Sequence, residues 1–147
     1  MECTIDWGGP SGMLFTASTG SGHVAVMDGA VDGGGHNLAP RPMEMLLAGT
    51  GGCTAYDVVL ILKRGRHAVT GCSVKLQADR ADTDPKVFTR IHFAFTVTGR
   101  NLPRAAVERA VQLSHEKYCS ASAMLEKTAA MTFSVDIVDT QEADATA

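Results

Sequence analysis

Pro42-Met43-Glu44-Met45-Leu46-Leu47-Ala48-Gly49-Thr50-Gly51-Gly52-Cys53-Thr54-Ala55-Tyr56-Asp57-Val58-Val59-Leu60-Ile61-Leu62 is the stretch that decides the fold. From Met43 to Leu62 almost every residue is apolar or small, so the run predicts a helix with no polar face, buried all round. Pro42 suits a first helical turn, and Glu44 suits the positive end of the helix dipole. Lys63, Arg64 and Gly65 supply a basic C-terminus and a glycine stop. A single sheet covers only one side of such a helix. In a chain this short, the simplest cover for the other side is a second copy of the same helix across a twofold axis. The expectation is an obligate, intertwined homodimer.

Outward from this helix the pattern changes to strands. Downstream, Ala68–Asp79 and Val87–Thr98 flank the turn Asp82-Thr83-Asp84-Pro85, and Ile91, Phe93, Phe95 and Val97 alternate with polar or small neighbours. A long, curved β-hairpin follows from their length. Pro103 then opens a helix through about Lys117, Cys119-Ser120 breaks it, and a short helix runs to about Lys127. Met131, Phe133, Val135 and Ile137 alternate as a closing strand. Upstream, Cys3–Trp7, Met13–Ala17 and His23–Met27 are separated by glycine-rich turns and read as a β-meander. The order β-β-β-α-β-β-α-α-β is α+β: an N-terminal meander, a long buried central helix, the hairpin, two C-terminal helices and the closing strand. The expectation is one domain over residues 1–147, with 139–147 a frayed tail.

Composition narrows the function classes. The 147 residues are 45% hydrophobic and 20% charged, ordinary values for a globular chain. Thirteen basic against 16 acidic residues give a formal net charge of −3, which argues against a nucleic-acid partner. The N-terminus has an acidic start and no apolar signal region, and no uninterrupted apolar run reaches about 18 residues. No membrane association is therefore expected, and a cytoplasmic setting is. Cys3, Cys53, Cys72 and Cys119 are then reduced thiols rather than a disulfide framework.

Two of these thiols sit in telling contexts. Cys53 lies within Gly49-Thr50-Gly51-Gly52-Cys53, and each helical glycine costs about 1 kcal/mol relative to alanine. Such a cost marks close approach by another backbone or a ligand. Cys53 is then either core filler beside a tight helix crossing or a nucleophile at a subunit interface. Asp57, one turn on, is a carboxylate in an apolar run and needs a partner; its charge raises a neighbouring thiol's pKa. Cys119 falls at the start of the last short helix, with Lys117 two residues before it, a setting that favours thiolate. Cys3 and Cys72 are strand residues without such a setting. No cysteine pair has CxxC spacing and no histidine pair has helical ligand spacing, so no metal and no other cofactor is expected.

Two segments resemble the OsmC/Ohr family of thiol-dependent redox proteins. Ala39-Pro40-Arg41-Pro42-Met43-Glu44-Met45-Leu46-Leu47-Ala48 leading to Gly52-Cys53 resembles the family's proline-led central helix, with its first cysteine eleven residues beyond the proline. Ser114-His115-Glu116-Lys117-Tyr118-Cys119-Ser120-Ala121 resembles the segment carrying the second cysteine. The resemblance implies an OsmC-like fold in an intertwined homodimer. It also implies reduction of small organic hydroperoxides in oxidative-stress defence, with Cys53 peroxidatic, Cys119 resolving, and an external dithiol as reductant. Peroxide-reducing members carry a glutamate directly after the helix-opening proline and an arginine in the N-terminal β region. Here Met43 follows the proline, Glu44 comes one residue late, and no arginine or lysine occurs before Arg41. Glu44, Asp57, Arg41 and Lys117 are therefore the candidate supporting groups. The alternative is a non-catalytic module that holds a small apolar ligand in an interface pocket lined by Met43, Leu46 and Tyr56.

Overall fold

The long apolar run forms one uninterrupted helix. In the computed structural model, which describes residues 1–140, α1 spans Pro42–Arg64. Its entry is fixed by Glu44, whose carboxylate accepts the Arg41 backbone N–H at 2.9 Å. This is half of a capping box, with Arg41 at the N-cap and Glu44 at N3. Within one chain the helix buries a single stripe of Thr50, Gly51, Thr54, Val58 and Leu62, spaced about one turn apart. Tyr56 is 69% exposed and Leu46 45%. Burial all round is thus not achieved inside one chain. By length and composition alone, α1 is long and apolar enough to cross a membrane. Its glycines and threonines interrupt a strictly apolar run without making the helix polar.

The chain forms two compact units, Met1–Ala48 and the residues from Gly49 onward. The first contains the expected meander: β1 (Cys3–Trp7), β2 (Phe15–Thr19) and β3 (Val24–Met27), antiparallel in the order β1-β2-β3. The glycine-rich loop after β3 is organised by Asp28, which is fully buried. Its carboxylate accepts the backbone N–H groups of Gly29 at 2.7 Å, Leu38 at 3.0 Å and His36 at 3.1 Å. The Leu38 bond is the largest influence on Asp28; burial opposes it, and the Gly29 and His36 bonds and the His36 charge add to it. Together they hold the carboxyl below its ordinary 3.8. A depressed carboxylate contributes stability above its unfolded pKa, and the contribution is lost as pH falls through the folded value. We expect wild type to melt above Asp28→Asn at neutral pH, with the gap closing as the pH is lowered below 3.8. Thermal melts of both proteins across acidic pH check this; a constant gap would refute it.

The second unit is two-layered. Strands β4 (Ala68–Arg80) and β5 (Phe88–Arg100) pair antiparallel, and β6 (Ala130–Asp139) joins β5 in parallel. The order β4-β5-β6 makes β5 central. The register lines up Leu76, Phe93 and Phe133 on one face, with Val74, Phe95 and Val135 beside them. The opposite face carries Gln77, His92 and Thr132 in one row and Asp79 beside Arg90 in the next. Ile91, Phe93, Phe95 and Val97 are all buried, as their period of two predicts. The apolar face is where the helices lie. A Cβ on Gly51 of α1 would stand 2.6 Å from Leu76 Cδ1, so glycine there admits the sheet. Of the glycines at 49, 51 and 52, only Gly51 makes such an approach within the chain; Gly49 and Gly52 face open space.

The C-terminal helices differ from expectation in one respect. Helix α2 spans Arg104–Leu113 and gives way to a π-helical turn, Ser114–Tyr118, before α3, Ser120–Leu125. Cys119 donates its N–H to the Ser114 carbonyl at 2.7 Å, the wide closure that defines the turn. At the C-terminal end Asp139 pairs with Gly99, and the Thr140 N–H reaches the Gly99 carbonyl, so the frayed tail expected from 139 does not begin there. Residues 141–147 lie outside the described residues.

Candidate active site

The site lies where α1 meets the π-helical turn, entirely within the second unit. Cys53 and Asp57 are one helical turn apart on α1, so their side chains leave the same face. Opposite them the π turn re-aims two residues that a regular helix would carry round differently. Ser114 Oγ donates to Asp57 Oδ2 at 3.0 Å, and Cys119 emerges at the N-cap of α3. The result is that Cys53 Sγ, an Asp57 carboxylate oxygen and Cys119 Sγ all lie within 4.8 Å of one another. Cys119 is 2% exposed and its sulfur accepts the Ser122 N–H at 3.4 Å. Cys53 is half-buried. All four cysteines are free thiols.

Electrostatically the site disfavours thiolate. Burial is the first cause holding the Cys53 thiol above its usual range, followed by the hydrogen bond with the Cys119 thiol. The Ala121 backbone N–H pulls the other way, and the charges of Cys119 and Asp57 add to the rise. None of the groups acting on this thiol is a cation. Lys117, proposed as a supporting cation, lies over the Tyr118 ring at 5.4 Å from its centre. Cys72 is also raised, by burial alone.

The structure brings together three of the residues singled out in the sequence: Cys53, Asp57 and Cys119. Arg41 and Glu44 belong to the first unit, where Glu44 is engaged at the helix cap. Met43 and Leu46 also fall in the first unit. Tyr56 lines a groove of about 410 Å³ along α1, with Ala55, Val59, Leu60 and Cys72. Sequence reasoning missed Ser114, the partner that Asp57 requires. It also missed the backbone N–H groups of Ala121 and Ser122 that address the two sulfurs. The available signal was the short stretch Ser114–Ala121, where a serine stands five residues before the cysteine.

A family model described as OsmC-like protein matches residues 34–134. The chain belongs to the OsmC-like family. Among curated proteins, this OsmC-like chain is 46% identical to Protein YhfA of Escherichia coli K12 over 138 residues, covering 94% of this chain and 98% of the relative. A hypothetical protein of Aquifex aeolicus VF5 superposes with a TM-score of 0.80 at 27% identity, covering 93% of this chain and 95% of that one. An organic hydroperoxide resistance protein, OsmC, from Legionella pneumophila shares the fold with a TM-score of 0.66 at 18% identity, over 92% and 97% of the two chains.

Proposed function

We infer that this OsmC-like protein is a thiol-dependent redox protein that reduces small organic hydroperoxides by a two-cysteine mechanism. The observation that carries this reading is the convergence of Cys53 and Cys119, far apart in sequence, to within 4.8 Å at their sulfurs. Cys53, the more accessible of the two, attacks as thiolate the terminal oxygen of the hydroperoxide. The O–O bond breaks, Cys53 becomes a sulfenic acid, and the departing alkoxide takes a proton to leave as an alcohol. The Cys119 thiol then attacks the sulfenic sulfur, closing a disulfide and releasing water. Closing the S–S bond to about 2.05 Å needs side-chain rotation of both cysteines. An external dithiol restores the pair by two exchanges and is itself oxidised. The cytoplasm, where thiols are kept reduced, suits this cycle.

The intact mass of the reduced protein after one equivalent of an organic hydroperoxide tests this reading. Loss of two hydrogens is expected, from a Cys53–Cys119 disulfide. An unchanged mass with unconsumed peroxide would overturn it and favour the ligand-binding alternative, which the apolar groove beside Tyr56 would then serve. Because the Cys53 thiol is held high, the reaction should quicken as pH rises through the alkaline range.

The assembly we propose is a homodimer joined through α1. The support is the exposed part of that helix from Gly49 onward, where Tyr56 is 69% exposed and Gly49 and Gly52 face open space. Analytical ultracentrifugation at micromolar concentration should give twice the chain mass. Tyr56→Glu should shift the population toward monomer. A monomeric wild type would refute the dimer.

A further inference from the structure

We propose that, in its reduced state, Cys53, Asp57 and Cys119 form a three-ligand site for a thiophilic divalent metal ion, Zn²⁺ by chemical class. The spacing of cysteines along the chain excludes local zinc patterns only; these ligands converge through the fold.

Three features of the site carry the inference. The donors are two sulfurs and one carboxylate oxygen, a set that favours Zn²⁺ over the hard ions Mg²⁺ and Ca²⁺, which take oxygen ligands. Their mutual separations are all within 4.8 Å. A tetrahedral ion with Zn–S about 2.3 Å and Zn–O about 2.0 Å needs donors roughly 3.5–3.8 Å apart. Side-chain adjustments on the order of 1 Å would bring these donors to bonding distance of such an ion. Finally, two of the ligands are held from behind. Ser114 donates to Asp57 Oδ2, and the Ser122 N–H fixes the Cys119 sulfur. Outer partners of this kind orient metal ligands and tune affinity. Three protein ligands leave one tetrahedral position open, for water or a small ligand.

A regulatory consequence follows, and this part rests on the redox reading above. The bound ion would mask Cys53 from hydroperoxide. Oxidation of the pair to a disulfide would remove both thiolates and release the ion, so ion and peroxide compete for one pair of sulfurs.

Cobalt is the probe, because Co²⁺ enters zinc sites and reports thiolate ligation by its near-ultraviolet charge-transfer absorption. The titration uses full-length protein in the Cys3→Ser/Cys72→Ser background, anaerobic and reduced, without peroxide. One equivalent of Co²⁺ should bind with thiolate charge transfer and the intense visible bands of a tetrahedral ion, and Zn²⁺ should displace it. Cys53→Ser should remove most of the charge-transfer absorption. Asp57→Asn, nearly isosteric, should weaken binding by at least about tenfold, and Ser114→Ala by about 10- to 100-fold. Circular dichroism checks that each variant is folded. Oxidised protein should bind no Co²⁺. Binding that Cys53→Ser or Asp57→Asn leaves unchanged overturns the proposal, as does an absence of charge transfer in the parent. Peroxide consumption measured separately in chelator keeps the two readings apart. Consumption without Co²⁺ binding removes the metal site and leaves the redox reading. Co²⁺ binding without consumption does the reverse.

Discussion

Cys53→Ser should abolish rapid reaction with an organic hydroperoxide, whereas Cys119→Ser should react once and stall. These are the expected results if the two sulfurs have the roles proposed for them, and the contrast matters more than either loss. A serine hydroxyl is not ionised near neutral pH, so Cys53→Ser has no nucleophile at the accessible position. Cys119→Ser keeps the attacking thiol but has nothing to condense with the sulfenic acid, which therefore persists or is oxidised further. Single-turnover peroxide consumption and intact mass distinguish the two. The wild-type rate should be low near neutral pH. Burial raises the Cys53 thiol, the Cys119 and Asp57 neighbours raise it further, and no cation among the groups acting on it compensates. Equal consumption by wild type and Cys53→Ser would remove the peroxidatic assignment.

Phe93→Ala should be the most destabilising single truncation in the second unit. Phe93 sits at the middle of the central strand with 0% exposure. Its ring stacks on Phe133 with centroids 5.0 Å apart, and Phe133 in turn meets the His115 ring of the π-helical turn at 4.8 Å. Removing a buried phenyl group costs about 3–5 kcal/mol, from lost transfer energy and the cavity left behind. That is a large part of the roughly 5–15 kcal/mol that holds a domain folded. The melting temperature should fall on the order of 10–20 °C. The effect should also reach the site, because Phe133 supports the turn that carries Ser114 toward Asp57. A fall of only a few degrees would show that Phe133 and its neighbours collapse into the space.

The elements of this protein were readable because each is governed by a local rule. A period of two along β5 is enough to place Ile91, Phe93, Phe95 and Val97 on one buried face. Proline, an apolar run and a basic, glycine-ended terminus are enough to bound α1 at Pro42–Arg64. The element order and the motifs around Cys53 and Cys119 are likewise properties of the linear chain, and they carried the family resemblance. The oddity of Asp57 was also visible, since a carboxylate in an apolar helix needs a partner.

The identity of that partner was not visible. Ser114 lies far along the chain, and only the π-helical turn brings its hydroxyl to Asp57 and delivers Cys119 beside Cys53. A wide turn depends on which hydrogen bonds survive when α2 packs against the sheet, not on residue preference. Similarly, glycine at 49, 51 and 52 looks alike in sequence, but only Gly51 meets the Leu76 side chain. Spacing along a helix or strand sets direction, and so it reveals faces. Distance between faces on different elements is set by packing, and so the convergence of two thiols and a carboxylate belongs to the tertiary structure alone.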